Sequence, residues 1–259
     1  MNSLEAIAMS ESDKKPLRAV VVGASSGIGA ALVRQLSAEG AHVAALARRV
    51  EELESLRDET ADSPGEVSVY VHDVCDVDAV PALLEELITE LGGLDLLIYA
   101  AGVMPSVGRD EYDTKKDLAM LEINLGGCVA WCNPVANLFT TQRSGTIVGI
   151  SSIAGARGRK GNPMYGTTKA AMDHYLEALR NRLGDYGAHV CTIKPGFVAT
   201  PMTADVPGMF WVISAETAAK RIMRAARCHV NSRYVPMRWG LVAFVLRLIP
   251  SFIFKRLNF

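Results

Sequence analysis

Short apolar segments alternate with segments of helical periodicity along most of the chain, and this alternation limits the possible folds more than any other feature. Six apolar segments are predicted strands, at residues 18–22, 41–46, 67–71, 94–99, 145–151 and 189–194. Five amphipathic segments are predicted helices, at residues 28–39, 50–59, 77–91, 118–139 and 164–185. Strands that are apolar throughout are buried on both faces. The pattern therefore predicts an α/β fold built on a doubly wound parallel sheet.

The chain is expected to form one domain. Its 259 residues suit a single large α/β unit, and the sequence contains no repeat or linker. We expect a mobile arm at residues 1–15, the domain at residues 16–235 and a separate apolar and basic tail at residues 236–259. The helix at 118–139 is expected to bend or break near Pro134, because proline lacks the N–H that a helix interior needs.

Composition excludes several classes of function. The formal net charge of −1 argues against nucleic-acid binding. Five cysteines without a CxxC pair argue against a disulfide framework and favour a reducing, cytoplasmic location. The five scattered histidines give no metal-binding pattern, so we expect no metal site.

A glycine-rich turn follows the first predicted strand. It reads Gly23-Ala24-Ser25-Ser26-Gly27-Ile28-Gly29 and leads into a predicted helix. Glycines allow a pyrophosphate to approach the backbone, and the N-terminus of the helix offers free N–H groups to it. The spacing predicts dinucleotide binding in a Rossmann-type fold, the alternative being a turn that only closes a strand–helix unit.

The end of the second predicted strand indicates which dinucleotide binds. An NAD site usually has an acidic residue there, whereas this chain has Arg48 and Arg49. Two guanidinium groups suit the 2′-phosphate of NADP(H). We expect a preference for NADP(H), with binding of NAD(H) still possible. The alternative is that the two arginines belong to a solvated basic loop.

Tyr165 and Lys169 lie four residues apart in a predicted helix and so share one face. A free phenol has a pKa near 10, which is too high for efficient acid/base catalysis at neutral pH. A nearby cation lowers that pKa, because it stabilises the phenolate. Ser152, just past the fifth strand, and Asn124, in the long middle helix, are further candidates for the same site.

These motifs together resemble the short-chain dehydrogenase/reductase family. The resemblance consists of the glycine turn, a serine thirteen residues before Tyr165, Tyr165-x3-Lys169 and Pro195-Gly196, and it covers residues 17–202. It implies that Tyr165 is the catalytic acid/base and that Lys169 lowers its pKa and holds the nicotinamide ribose. It also implies that Ser152, with Ser151 as competitor, orients the substrate carbonyl and that Asn124 positions a water in a proton relay.

The resemblance also implies further cofactor contacts. Asp73 and Val74 correspond to the pair that contacts adenine, although Asp73 could instead cap a helix. The remaining positions allow close approach of the cofactor or enclose its nicotinamide: Ala101, Gly102, Pro195, Gly196, Val198 and Thr200. Thr200 is expected to bind the carboxamide. Two departures stand out: Tyr99-Ala100 replaces a pair of asparagines that brace the sheet, and Gly149 replaces another asparagine.

Residues around 200–215 are expected to determine the substrate. Several of them are apolar and favour a hydrophobic substrate: Met202, Val206, Met209, Phe210 and Trp211. After Glu216 the chain has nine basic residues and no acidic one. The tail at 239–259 mixes bulky apolar residues with Arg and Lys, which suits a membrane interface, a second subunit or the substrate cleft. The stretch at 233–259 resembles tails of bacterial short-chain reductases that act on lipid-linked sugars.

Two functions remain open at this stage. The first is an oxidoreductase that interconverts a ketone and a secondary alcohol. The second is a catalytically silent, cofactor-binding scaffold or sensor; a methyltransferase on a similar sheet would leave Tyr165 and Lys169 without a role. By the resemblance, we expect a homodimer or homotetramer formed through the long middle helices.

Overall fold

The computed structural model describes residues 15–257, so the predicted arm at residues 1–15 lies outside the described residues apart from Lys15. Seven parallel strands form one sheet in the order β3-β2-β1-β4-β5-β6-β9. Their bounds are β1 (Arg18–Val22), β2 (His42–Ala47), β3 (Glu66–Val71), β4 (Leu96–Tyr99), β5 (Thr146–Ile150), β6 (His189–Pro195) and β9 (Ser232–Val235). Two short strands, β7 (Val198–Ala199) and β8 (Ile213–Ser214), pair separately.

Helices cover both faces of the sheet, as the uniformly apolar strands predict. Their bounds are α1 (Gly27–Ala38), α2 (Val50–Glu59), α3 (Val80–Leu91), α4 (Thr114–Leu121), α5 (Gly127–Gln142), α6 (Pro163–Leu183), α7 (Ala215–Arg227), α8 (Arg238–Leu248) and α9 (Ser251–Phe254). One buried cluster joins the sheet to α1, α2 and α7, and another joins it to α3, α5 and α6. The predicted doubly wound parallel sheet is therefore confirmed.

The strand order places the carboxyl ends of β1 and β4 side by side. The chain runs outward from β1 through β2 to β3 and then returns to β4 on the other side of β1. Connections from the two strands leave in opposite directions, which opens a crevice between them. The loops after β1, β4, β5 and β6 meet at this edge and form the candidate site.

Of the bend or break predicted near Pro134, a break does not occur. Pro134 lies inside α5, and the interruption is a π-helical segment, Glu122–Gly126, that joins α4 to α5. Trp131, Val135 and Phe139 are fully buried on one face of α5. This packing outweighs the single hydrogen bond that proline removes from the helix.

The C-terminal segment packs onto the domain. Beyond β9, α8 buries Trp239 and Ala243, which are only 4% and 2% exposed. Arg157 donates to the carbonyl groups of Leu246 and Ile249 at the end of α8 and so ties this helix to the loop after β5. Among residues 15–257, no helix is long and apolar enough to cross a membrane.

Candidate active site

The glycine turn connects β1 to α1 with two close backbone approaches. Gly23 has φ +91°, and a Cβ atom there would lie 2.4 Å from the backbone nitrogen of Ala101. A Cβ atom on Gly29 would lie 2.0 Å from the carbonyl oxygen of Gly23. Ser26, at the start of α1, makes no side-chain bond to the helix, so the first-turn N–H groups stay available to a ligand.

The two predicted cofactor-selecting arginines lie beside this turn. Arg49 donates to the hydroxyl groups of Ser25 and Ser26, both at 2.9 Å, and pairs with Glu52 at 2.8 Å. Arg48 lies 3.8 Å from a carboxylate oxygen of Asp73, and both side chains are about half exposed. The guanidinium groups therefore stand at the mouth of the crevice, where they can reach a phosphate.

Asp73 follows β3 and closes the same end of the crevice. Its carboxylate accepts a hydrogen bond from the backbone N–H of Cys75 at 3.1 Å, and this bond is the main reason that the Asp73 pKa is lowered. Val74 is buried and packs against Gly127 at the start of α5. The carboxylate is thus ionised and faces the crevice beside Arg48.

A single cavity of about 820 Å³ runs along the crevice. It is lined by all the predicted cofactor-binding residues: Gly23, Ser25, Ser26, Gly27, Ile28, Gly29, Arg48, Arg49, Asp73, Val74, Ala101, Gly102, Tyr165, Lys169, Pro195, Gly196, Val198 and Thr200. Ser152 lines it as well. Free N–H groups at one end, two guanidinium groups beside them and a volume typical of ligand sites suit a phosphorylated dinucleotide.

Tyr165 and Lys169 face this cavity from the first turns of α6. They are 8% and 4% exposed, and the ammonium lies 5.9 Å from the centre of the phenol ring. Lys169 donates to the carbonyl of Ile150 at 2.9 Å. Burial lowers the pKa of Lys169 to about 8, against the opposing effects of Cys128 and Asp173. A buried ammonium with one carbonyl partner has donors left for a ligand.

Burial raises the pKa of the Tyr165 phenol above its ordinary value, whereas a hydrogen bond from Ser152 and the charge of Arg159 lower it. Ser152 and Arg159 therefore lower the pKa of the phenol, and the effect predicted for Lys169 stays a prediction. Arg159 is a group that sequence reasoning missed. Its only sequence signal is its place in a basic loop six residues before Tyr165.

The two neighbouring serines differ in what they bind. The Ser151 hydroxyl donates to the carbonyl of Lys169 at 3.1 Å and so braces α6 against β5. The Ser152 oxygen accepts from the N–H of Ala154 at 3.1 Å, and Ser152 also lowers the pKa of the Tyr165 phenol. Of the two serines, only Ser152 acts on the phenol in this way.

Asn124 is fully buried in the π-helical segment and does not line the cavity. It accepts from the N–H of Val103 at 2.7 Å and donates to the Val103 carbonyl and the Thr168 hydroxyl at 3.0 and 3.2 Å. A Cβ atom on Gly102 would lie 3.2 Å from Asn124 Oδ1 and 3.5 Å from Lys169 Nζ. The amide thus fixes the loop after β4 beside the buried ammonium.

An apolar cluster surrounds Tyr165, and its members Val103 and Met104 line the cavity. Met120 and Ala154 are buried against Tyr165, with Met104 and Met164 packed around them. The sequence did not single out these methionines, since they come from separate helices and loops. Within the predicted substrate segment, Met202 lines the cavity, and Thr200 contacts the hydroxyl of Thr203 at 3.2 Å.

Phe210 and Trp211, also in that segment, pack into an aromatic cluster with Phe197 and with Trp239 of α8. Val206 and Met209 do not line the cavity. One part of the expected substrate segment therefore borders the cavity, and another part packs against the C-terminal segment. Across residues 15–257, no group of three or more His, Cys, Asp or Glu side chains is placed to hold a metal ion.

Curated proteins of known sequence are similar over most of the chain. An uncharacterized oxidoreductase of Myxococcus xanthus is 35% identical over 186 residues, which are 72% of this chain and 74% of that protein. The 3-oxoacyl-(acyl-carrier-protein) reductase FabG of Thermotoga maritima is 31% identical over 208 residues, which are 78% and 81% of the two chains.

Solved structures share the fold. ElxO with NADP bound has a TM-score of 0.77 at 22% identity, covering 86% of this chain and 99% of its own. Actinorhodin polyketide ketoreductase with NADPH has a TM-score of 0.77 at 24% identity, covering 85% and 95%. The sequence model of the short chain dehydrogenase family matches residues 18–209, well over half of the chain. This chain belongs to the short-chain dehydrogenase/reductase family of oxidoreductases.

Proposed function

We propose that this oxidoreductase interconverts a ketone and a secondary alcohol with a preference for NADP(H). The observation that carries the proposal is the meeting of Ser152, Tyr165 and Lys169 in one cavity with the glycine turn. A dinucleotide on the turn would extend along the crevice toward the phenol. A carbonyl bound beside the phenol would then lie next to the nicotinamide.

The preference for NADP(H) rests on Arg48 and Arg49. Both line the cavity next to the glycine turn, and each has a nearby carboxylate, Asp73 or Glu52, that a bound phosphate would supplement as a partner. Charge-assisted bonds from guanidinium to phosphate are stronger than neutral ones. Two structures of the same fold, ElxO with NADP bound and actinorhodin polyketide ketoreductase with NADPH, support the same choice.

In this mechanism the bound cofactor supplies or accepts the hydride, and the chain handles the proton. During reduction, Tyr165 donates its phenolic proton to the carbonyl oxygen; during oxidation, it removes a proton from the alcohol. Ser152 donates a hydrogen bond to the oxygen on which charge develops. Lys169, protonated at neutral pH because its pKa is about 8, stabilises negative charge at the phenol and can bond a ribose hydroxyl.

The proposed substrate is hydrophobic near its carbonyl. Met104 and Met202 line the cavity and favour an apolar group, because flexible thioether side chains adapt to its shape. A lipid-linked compound would belong to this class of substrates. The proposal of such a compound rests only on the resemblance of the C-terminal tail.

A ketone panel tests the proposal. Purified protein with NADPH deuterated at the transferable position should pass deuterium to the carbinol carbon of at least one hydrophobic ketone. NADPH binding without turnover of any ketone class would instead support a catalytically silent scaffold or sensor. The intact Ser152, Tyr165 and Lys169 favour the active enzyme.

For α8 and the following segment we propose contact with an anionic membrane surface. Leu241, Phe244, Val245 and Leu248 recur at helical spacing and are 50–69% exposed. Arg247 and Arg256 are exposed nearby, and no acidic residue lies in this part of the chain. An exposed apolar stripe flanked by cations suits the interface of an anionic bilayer better than a second, similarly basic copy of the same helix.

Flotation with phosphatidylcholine vesicles containing phosphatidylglycerol tests this contact. The parent should float with the vesicles, whereas Leu241→Asp combined with Leu248→Asp should stay in the lower fraction. Val71→Asp is the matched control, since Val71 is 61% exposed on the edge strand at the other end of the sheet. Absence of parent protein from the vesicle fraction would eliminate the membrane contact.

We also propose a homodimer or homotetramer assembled through the middle helices, in the cytoplasm or at its membrane surface. Leu118 and Leu121 on α4 are 56% and 38% exposed, which favours coverage of this helix by a second copy. Light scattering should give at least twice the chain mass. A monomer at micromolar concentration would contradict this assembly.

A further inference from the structure

A second cavity, of about 430 Å³, lies between the loop after β5 and the end of the chain as described. Its basic lining residues are Arg157, Arg159, Lys160 and Lys255, and Phe254 and Leu257 add apolar wall. None of its lining residues in the described part of the chain is acidic. The cavity is therefore strongly cationic.

The two segments that build this cavity cannot neutralise it with their own side chains. The sequence has no Asp or Glu between Glu122 and Asp173, and none after Glu216. Among residues 15–257, no carboxylate lies within salt-bridge distance of Arg157, Arg159 or Lys255. Converging cations repel one another, so a bound anion would stabilise Arg159 and Lys255 in this arrangement.

Arg157 and Arg159 have different roles in this cavity. Arg157 is occupied structurally, because it donates to the carbonyls of Leu246 and Ile249 and its guanidinium lies 3.9 Å from the ring centre of Phe254. Arg159 is partly buried and makes no hydrogen bond within the described residues. Burial of an unpaired guanidinium is costly, and burial accordingly lowers the pKa of Arg159.

The cavity is built partly by the loop that joins Ser152 to Tyr165, and both of these residues line the first cavity. The charge of Arg159 also lowers the pKa of the phenol. The apolar residues Phe254 and Leu257 could contact hydrocarbon next to a charged group, whereas Arg159 and Lys255 offer donors for oxygen atoms. A ligand in this cavity and a carbonyl beside Tyr165 can thus belong to one molecule.

We propose that this cavity binds a phosphate or carboxylate group of the substrate, with Arg159 and Lys255 as its ligands. The substrate is then an anionic amphiphile whose carbonyl reaches Tyr165. The identification of the ligand as substrate rests on the proposed function, but the binding of an anion is measurable without turnover.

Calorimetry with octyl compounds tests this site. The full chain is first saturated with NADP, so that Arg48 and Arg49 do not compete for phosphate. Octyl phosphate, octanoate, octanol and octylammonium are then titrated below their micellar concentrations. We expect at least one of the two anions to bind tenfold or more tightly than octanol, and octylammonium to bind no more tightly than octanol.

Variants identify the cavity as the binding site. Arg159→Gln and Lys255→Gln should each weaken binding of the preferred anion at least several-fold and leave octanol unchanged. Arg221→Gln is the matched control, because Arg221 is exposed on α7 and lines neither cavity. An equal loss in Arg221→Gln, or no loss in Arg159→Gln, would overturn the proposal.

A vesicle experiment separates a substrate anion from a lipid headgroup. If Arg159→Gln reduces flotation with phosphatidylglycerol vesicles but leaves octyl-anion binding intact, the cavity serves the membrane surface and the proposal is wrong. A failure of ketone turnover with intact anion binding would instead count against the proposed oxidoreductase function alone.

Discussion

Ser151 and Ser152 occupy neighbouring positions with different surroundings. The Ser151 hydroxyl donates to the Lys169 carbonyl and so holds α6, whereas Ser152 lowers the pKa of the Tyr165 phenol. Both serines directly follow β5, and successive side chains of an extended backbone point to opposite sides. The motif spacing favoured Ser152, and the geometry gives that proposal a physical reason.

The two arginines after β2 give a prediction about cofactor choice. Arg49→Ala and Arg48→Ala should each weaken NADPH binding by about tenfold or more, because a hydrogen bond to a charged group contributes roughly 1.5–3 kcal/mol. NADH, which lacks the 2′-phosphate, should bind as it does to the parent. Fluorescence titration with both cofactors measures the two dissociation constants.

The control for that experiment is Arg57→Ala, an exposed arginine on α2 that does not line the cavity. Equal loss of NADPH and NADH affinity in the Arg48 and Arg49 variants would show that these side chains stabilise the turn rather than select a phosphate.

Motif residues were predictable from sequence because they are close together in the chain or follow strand ends. Gly23, Arg49 and Tyr165 all line the expected crevice. Arg159 was not predictable, since its proximity to the phenol depends on the path of a loop. The predicted effect of Lys169 on the phenol stays a prediction; its ammonium bonds the Ile150 carbonyl and lies 5.9 Å from the centre of the phenol ring.

The π-helical segment at Glu122–Gly126 is the element on which the site most depends. The hydroxyl of Tyr99, at the end of β4, donates to the carbonyl of Ile123 at 2.5 Å. A Cβ atom on Gly127 would lie 2.4 Å from that hydroxyl, so glycine makes room for the tyrosine. Tyr99, which stands in place of the family's asparagine, therefore braces the segment that carries Asn124.

Tyr99→Phe should accordingly destabilise this segment. It leaves the carbonyl of Ile123 without its phenolic donor, at a cost of about 1–3 kcal/mol for a buried group. Urea denaturation should show that loss in the free energy of unfolding. Tyr112→Phe is the control, since Tyr112 is 92% exposed. A Tyr99→Phe protein as stable as the parent would remove the bracing role.

Element boundaries illustrate the limits of sequence patterns. Most strands and helices lie within a few residues of their predicted bounds, because burial on both faces gives them a clear signal. The interruption at Glu122–Gly126 was missed, since a π-turn keeps the apolar character of its helix. The last strand, β9, was missed as well, because Ser232 and Arg233 interrupt its apolar pattern.

At the scale of the molecule, the C-terminal segment is part of the site's surroundings. Trp239 packs against Phe197 and Phe210, with ring centres 5.4 and 5.0 Å away, and thereby joins α8 to the loop after β6. A Cβ atom on Gly196 would collide with the Trp239 ring. The sequence showed an apolar tail but not its packing, which depends on contacts between residues far apart in the chain.

Global stability should depend on pH through His72. Burial lowers the pKa of this imidazole below its ordinary value, with Asp76 and Asp73 opposing, and the ring accepts a hydrogen bond from Trp131 at 3.3 Å. The unfolded chain binds the proton more readily. The stabilisation is therefore present in full above pH ~6.5 and is lost as pH falls through the folded-state pKa.

Thermal unfolding between pH 7.5 and 5 measures this effect, the range being about the unfolded pKa of histidine. His72→Gln should show a smaller loss of melting temperature on acidification than the parent. The residual slope comes partly from His189, whose pKa burial also lowers. Exposed His174 provides the control, and His174→Gln should keep the parent's slope; an unchanged slope in His72→Gln would exclude His72 as its source.

The central claim is that the Tyr165 phenol exchanges the proton during ketone reduction. The most direct measurement is single-turnover reduction by Tyr165→Phe with saturating NADPH, on the best ketone of the panel, beside a Tyr186→Phe control at an exposed site. We predict a rate about 10²–10⁴-fold below the parent, as for the loss of a general acid, with NADPH affinity unchanged. A Tyr165→Phe rate equal to that of the parent would contradict the mechanism.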